Sequence, residues 1–100
     1  MSYKVEILPV TRRDIQKGIE WYNEQKQGLG TAFYTAVKAR LAYIRDNPLH
    51  YQIRYRDVRH APLDKFPYLV HYRVDESKQT LVVFGVIHMS RNPKIPKSRQ

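Results

Sequence analysis

Residues 66–88, FPYLVHYRVDESKQTLVVFGVIH, hold two apolar runs on either side of one polar turn. Phe66–Val74 and Thr80–His88 are rich in β-branched and aromatic residues, which suit a pleated, half-buried surface. Asp75-Glu76-Ser77-Lys78 has turn chemistry and no apolar content. The pattern predicts a β-hairpin. Alternation directs Tyr68, Val70, Tyr72 and Val74 to one face and Leu69, His71 and Arg73 to the other. With a turn at 75–78, Val74 pairs with Gln79. Leu81, Val83, Gly85 and Ile87 then join the first face, and Val82, Phe84, Val86 and His88 the second. The first face is expected to carry helices and the second, with His71, Arg73 and His88, to stay open.

Working back from the hairpin, Val58 to Ala61 predicts a short strand closed by Pro62, and Leu63-Asp64-Lys65 turns the chain into Phe66. Leu49 to Arg56 has no clear period and reads as a loop or a ragged strand. Tyr3 to Leu8 alternates and is stopped by Pro9, giving a first strand. Thr11-Arg12-Arg13-Asp14 reads as a helix start, with Thr11 as cap and Asp14 at the capping-box position. Ile15, Gly18, Ile19 and Tyr22 then recur on one helical face. Gly28 reads as the left-handed stop of this helix. A second helix, from Thr31 to Asp46, carries the stripe Phe33, Val37, Leu41 and Ile44 and is closed by Asn47-Pro48. The short connection implies an antiparallel helix pair. The expected fold is α+β in the order β-α-α-β-β-β: a helical hairpin on one face of a mainly antiparallel four-stranded sheet.

One hundred residues make one domain with a single core. That domain is expected over residues 1–93, followed by a basic, flexible tail at 94–100. With no cysteine, a disulfide framework, a thiolate metal site and a cysteine nucleophile are all excluded. His50, His60, His71 and His88 show no metal-ligand spacing, so neither a metal nor another cofactor is expected. No apolar run reaches the roughly 20 residues of a membrane span, and Met1 to Val5 has no secretory h-region. The net charge of +9 favours an acidic partner, either nucleic acid or an acidic protein segment. Arg91, Lys94, Lys97 and Arg99 crowd the last ten residues with no acid among them.

Trp21 and Tyr22 read as core and helix-packing residues rather than as a base-stacking platform. Tyr51 and Tyr55 interleave with Arg54 and Arg56, a pattern that suits either stacking on bases or packing of a loop on the sheet.

The motifs Trp21-Tyr22-x-x-Gln25-x-x-Gly28-Leu29-Gly30-x-x-Phe33, Ile44-x-x-Asn47-Pro48, Arg59, Phe66-Pro67-Tyr68-x-Val70-x-Tyr72 and His88-x-x-Arg91-Asn92-Pro93 follow one another in order and together cover most of the chain. This set resembles the RelE/ParE superfamily of type II toxin–antitoxin toxins, and most closely its ParE-like, plasmid-stabilisation branch. The resemblance implies a cytoplasmic toxin neutralised by an adjacently encoded, acidic antitoxin. The target would be DNA gyrase in the ParE-like case, or mRNA on the ribosome in the RelE-like case. RelE-like nucleases carry an arginine after the tyrosine that opens the penultimate strand. Here Leu69 follows Tyr68, and the late tyrosine of that branch is missing too.

Cleavage by a 2′-hydroxyl needs a base, a cation for the phosphate and an acid for the leaving oxygen. His88, Arg91 and Arg59 are the candidates for these roles in the nuclease reading, with Lys65 or Arg73 adding charge. In the binding reading, the contacts to antitoxin or target fall to Arg73, Arg91, Lys94, Lys97 and Arg99. The third reading is an inert relative that only binds a partner.

Overall fold

The predicted hairpin forms the centre of a five-stranded sheet in the computed structural model, which describes residues 3–90. The elements in chain order are β1 (Lys4–Ile7), α1 (Pro9–Gln25), α2 (Leu29–Asp46), β2 (Ile53–Tyr55), β3 (Val58–Pro62), β4 (Tyr68–Asp75) and β5 (Thr80–His88). The sheet order is β1-β5-β4-β3-β2. β1 runs parallel to β5 and the other neighbours are antiparallel. The expected architecture stands, with one strand more: β2, within the stretch read as loop or ragged strand, adds an edge beside β3. Arg91, Lys94, Lys97, Arg99 and the expected flexible tail lie outside the described residues.

The hairpin register differs from the expectation in two ways. Asp75 pairs with Thr80 and Val74 with Leu81, so the turn sits one residue later. Its Asp75 carboxylate accepts hydrogen bonds from the Ser77 hydroxyl at 2.7 Å and the Lys78 amide at 3.2 Å. The Ser77 bond is the main reason that Asp75 titrates below the ordinary carboxylate range. The two-residue offset preserves the faces as far as Val83. A bulge then intervenes: Tyr72 pairs with Val83 but His71 with Gly85. The extra residue flips the rest of β5. Val86 joins the helix-side core, Phe84 and Ile87 pack on the other face, and His88, opposite Tyr68, follows Val86.

Helix α1 is fastened to this bulge. The Thr11 hydroxyl donates to the Val83 carbonyl at 2.8 Å, and the Val86 amide donates to the Asp14 carboxylate at 3.1 Å. Neither side chain caps the helix as expected: α1 begins at Pro9, with Leu8 at the cap position. β1 ends opposite Val83, and α1 takes over the backbone groups of β5 beyond it. This is the accounting required of buried backbone polar groups. Thr11→Val keeps the shape and removes the fully buried donor, so it is expected to cost about 1 kcal/mol, read as a lower urea midpoint at unchanged m-value.

The core lies between the helices and the inner sheet face. Phe33, Val37 and Ile44 from α2 meet Val70, Tyr72, Leu81, Val83 and Val86, all almost fully buried. Phe33 stands among Tyr22, Phe66 and Tyr68 at ring-centroid separations of 5.2, 5.5 and 4.9 Å. The helices cross closely at Gly18, where an added Cβ would lie 2.5 Å from the Phe33 ring. Gly28 is left-handed, as expected, with φ +90°, but it opens α2 rather than closing α1.

Candidate functional site

Arg59 sits on β3 opposite Tyr72, on the helix side of the sheet. Its guanidinium donates to the Tyr51 carbonyl at 2.5 Å. Arg40 reaches the same loop from α2, donating to the Tyr51 hydroxyl at 2.7 Å and pairing with Asp64 at 3.0 Å. The Tyr72 hydroxyl donates to the Pro48 carbonyl at 3.2 Å. Two arginines and a tyrosine thus pin residues 48–51 to the core. Burial pushes the Tyr72 phenol up to about 12, against a smaller lowering by the Arg59 charge. The unfolded chain therefore gives up this proton first, near pH 10. Stability should fall between pH 10 and 12, because there the folded state holds a proton that the unfolded state has lost. An alkaline denaturation series should show this slope, and Tyr72→Phe should flatten it.

His88 lies at the far end of β5. Its ring packs edge-on against Tyr68 at 5.1 Å, and its Nδ1 accepts the Ser90 amide at 3.0 Å. A cavity of only about 50 Å³ beside it is bounded by Asp14, Lys17, Tyr68 and Val86. The expected grouping of His88 with His71 and Arg73 on an open face is therefore corrected: the bulge carries His88 to the helix side. His88 and Arg59 share that side but not a site. They stand on strands flanking β4, at the rows of Tyr68 and Tyr72. Strand spacing and rise put their backbones on the order of 15 Å apart.

On the outer face, Arg73 pairs with Asp57 at 3.3 Å and lies over the Phe84 ring at 5.2 Å. Beneath it Val58 and Phe84 form a small second core, flanked by Leu8, Tyr55 and Ile87. His71 is fully buried against His60, at 4.1 Å between rings. The outer face is thus less open than alternation suggests.

A further unfilled apolar surface lies elsewhere. A groove of about 440 Å³ runs between α1, α2 and the edge strand β1, floored by Ile7, Ile15, Ile19, Val37 and Leu41. Arg12 and Lys38 stand at it, and Arg45 lies on its extension along β1. Ile19 and Leu41 were legible as stripe residues, but the stripes alone do not reveal that both stay half-exposed. Among the described residues no cluster of three metal-ligating side chains occurs, and no helix is long and apolar enough to cross a membrane.

This architecture is that of the RelE/ParE-like toxins. The chain superposes on the chromosomal ParDE toxin–antitoxin system from P. aeruginosa with a TM-score of 0.75 at 10% identity, over 87% of this chain and 96% of that one. For the intact E. coli RelBE toxin–antitoxin complex the TM-score is 0.69 at 17% identity, over 90% and 100% of the two chains. For the RelBE2 complex from Mycobacterium tuberculosis it is 0.65 at 21% identity, over 88% and 99%. No curated protein matches in sequence. The family model described as ParE toxin of type II toxin–antitoxin system, parDE, matches residues 5–93. The chain belongs to the ParE toxin family.

Proposed function

We propose that this toxin arrests growth by binding an essential target such as DNA gyrase, without chemistry of its own, and that a cognate antitoxin neutralises it in the cytoplasm. The separation of Arg59 from His88 carries this reading. Acid–base chemistry at one phosphate needs its groups within hydrogen-bond reach of the reacting atoms. Here Arg59 is spent on the Tyr51 carbonyl, and His88 faces Tyr68. Leu69 stands where the nuclease branch has its arginine. Arg73, Arg91, Lys94, Lys97 and Arg99 supply positive charge for the target or the antitoxin. The apolar groove beside edge strand β1, with Arg12, Lys38 and Arg45 around it, suits an acidic amphipathic antitoxin segment, laid in as a helix or added as a strand.

The test is direct. The purified protein is expected to inhibit supercoiling by gyrase and to leave mRNA on translating ribosomes uncut, with primer extension as the readout. His88→Ala should arrest growth as well as the parent does. Codon-phased cuts that vanish in His88→Ala would make the protein a ribosome-dependent endonuclease. Unchanged growth on induction without antitoxin would leave only a partner-binding relative.

A further inference from the structure

A cavity of about 430 Å³ opens on the sheet face away from the helices, within the size range of small-molecule sites. Its lining includes His50, Arg54, His60, Leu69 and Met89. No carboxylate lines it. Arg54 is exposed on β2 and has no ion pair among the described residues. His60 lies on β3 with its ring 4.1 Å from His71 and 5.8 Å from Tyr55. Burial, and then the Arg54 charge, lower its proton affinity, so its ring is neutral at pH 7. Its Nε2 is buried and has no hydrogen-bond partner among the described residues. A proton there would lack an acceptor, at the cost of an unsatisfied buried donor. That leaves Nδ1 as the ring nitrogen that can serve a ligand, as a donor when it carries the proton. The cavity thus combines a guanidinium with no ion pair among the described residues, an imidazole ring and an apolar lining of Leu69 and Met89, with the flat ring of His50 beside them.

We infer that this cavity binds a nucleoside monophosphate unit, free or within a single strand. The phosphate pairs with Arg54 and accepts from His60, a charge-assisted arrangement. The base lies against His50, Leu69 and Met89, contacts that need no sequence match. An acidic peptide would use Arg54 but leave the apolar lining unfilled. The interleaved Tyr51, Arg54, Tyr55 and Arg56 pattern thereby acquires a role through Arg54 rather than through stacking on its tyrosines. The inference is independent of the gyrase reading, since it asks only for binding.

The experiment is a titration of the full chain with AMP, CMP and inorganic phosphate, following the His60 ring by NMR. AMP and CMP should shift the His60 signals and bind about tenfold tighter than phosphate, the gain expected from seating a base. Arg54→Gln should weaken them about tenfold, as for loss of one charged hydrogen bond, with an unchanged circular dichroism spectrum. Lys26→Gln, on an exposed helix connection, should bind as the parent does. A short oligonucleotide binding more tightly than AMP identifies the strand as the source, and equal binding identifies the free nucleotide. Nucleotides no better than phosphate, affinity indifferent to Arg54, or a glutamate-rich peptide binding here while AMP does not would each overturn the inference.

Discussion

Phe33→Ala is expected to lower the unfolding free energy by about 3–5 kcal/mol, the usual cost of emptying a buried phenylalanine site. The upper end is expected here. Phe33 is fully buried, and three of its neighbours are rings held by three separate elements or turns: Tyr22 on α1, Phe66 before β4 and Tyr68 on β4. Rings fixed from different sides cannot all collapse into the space left, so a cavity persists. Against a total stability of about 5–15 kcal/mol for a domain, this loss removes a large share. Urea unfolding measures it, and a change below 1 kcal/mol would mean that the aromatic cluster does not anchor the helices.

Gly18→Ala is the second, and its sign is the informative part. In an exposed helix the change stabilises by about 1 kcal/mol. Here the new Cβ would meet the Phe33 ring at 2.5 Å, closer than carbon atoms approach one another. The ring cannot retreat through its packed neighbours, so the helices must separate. Overpacking of this kind costs about 1–3 kcal/mol, and a net loss of stability is expected. Combining Gly18→Ala with Phe33→Leu should cost less than the sum of the two, because the shorter side chain vacates the contested space. Such coupling is what a double-mutant cycle detects between touching residues. Strict additivity would place the two residues apart.

Much of the fold is legible because local signals agree. Val5 and Ile7, the stripes Ile15-Gly18-Tyr22 and Phe33-Val37-Ile44, and the alternation of Tyr68, Val70 and Tyr72 each report a buried face, and each is buried or half-buried as read. The bulge is where legibility fails. Gly85 inside a strand was the available hint, but a glycine alone does not say whether the ladder slips. One inserted residue moved Val86, Ile87 and His88 to faces opposite to those expected. Thr11 and Asp14 misled for a related reason. Their spacing is that of a cap, whereas their partners are Val83 and Val86, 72 residues away in each case. No local pattern encodes such a bond. The candidate sites were the least legible part. The groove and the outer cavity are made by residues from several elements, and only the assembled sheet brings them together.

The parallel pairing of β1 with β5 bears on how the toxin comes into being. Lys4 lies opposite Thr80, so the sheet joins segments far apart along the chain, the second made well after the first. β5 is also interior, between β1 and β4. A nascent chain that stops before Thr80 has no partner for its first strand, no anchor for Thr11 or Asp14, and one bare side to its helical hairpin. Contacts so distant along the chain form late and close slowly. Completion of the sheet therefore waits on the synthesis of β5. Products terminated before Thr80 should lack the complete sheet and be prone to aggregate, and the folded domain exists only once the strand ending at His88 has been made.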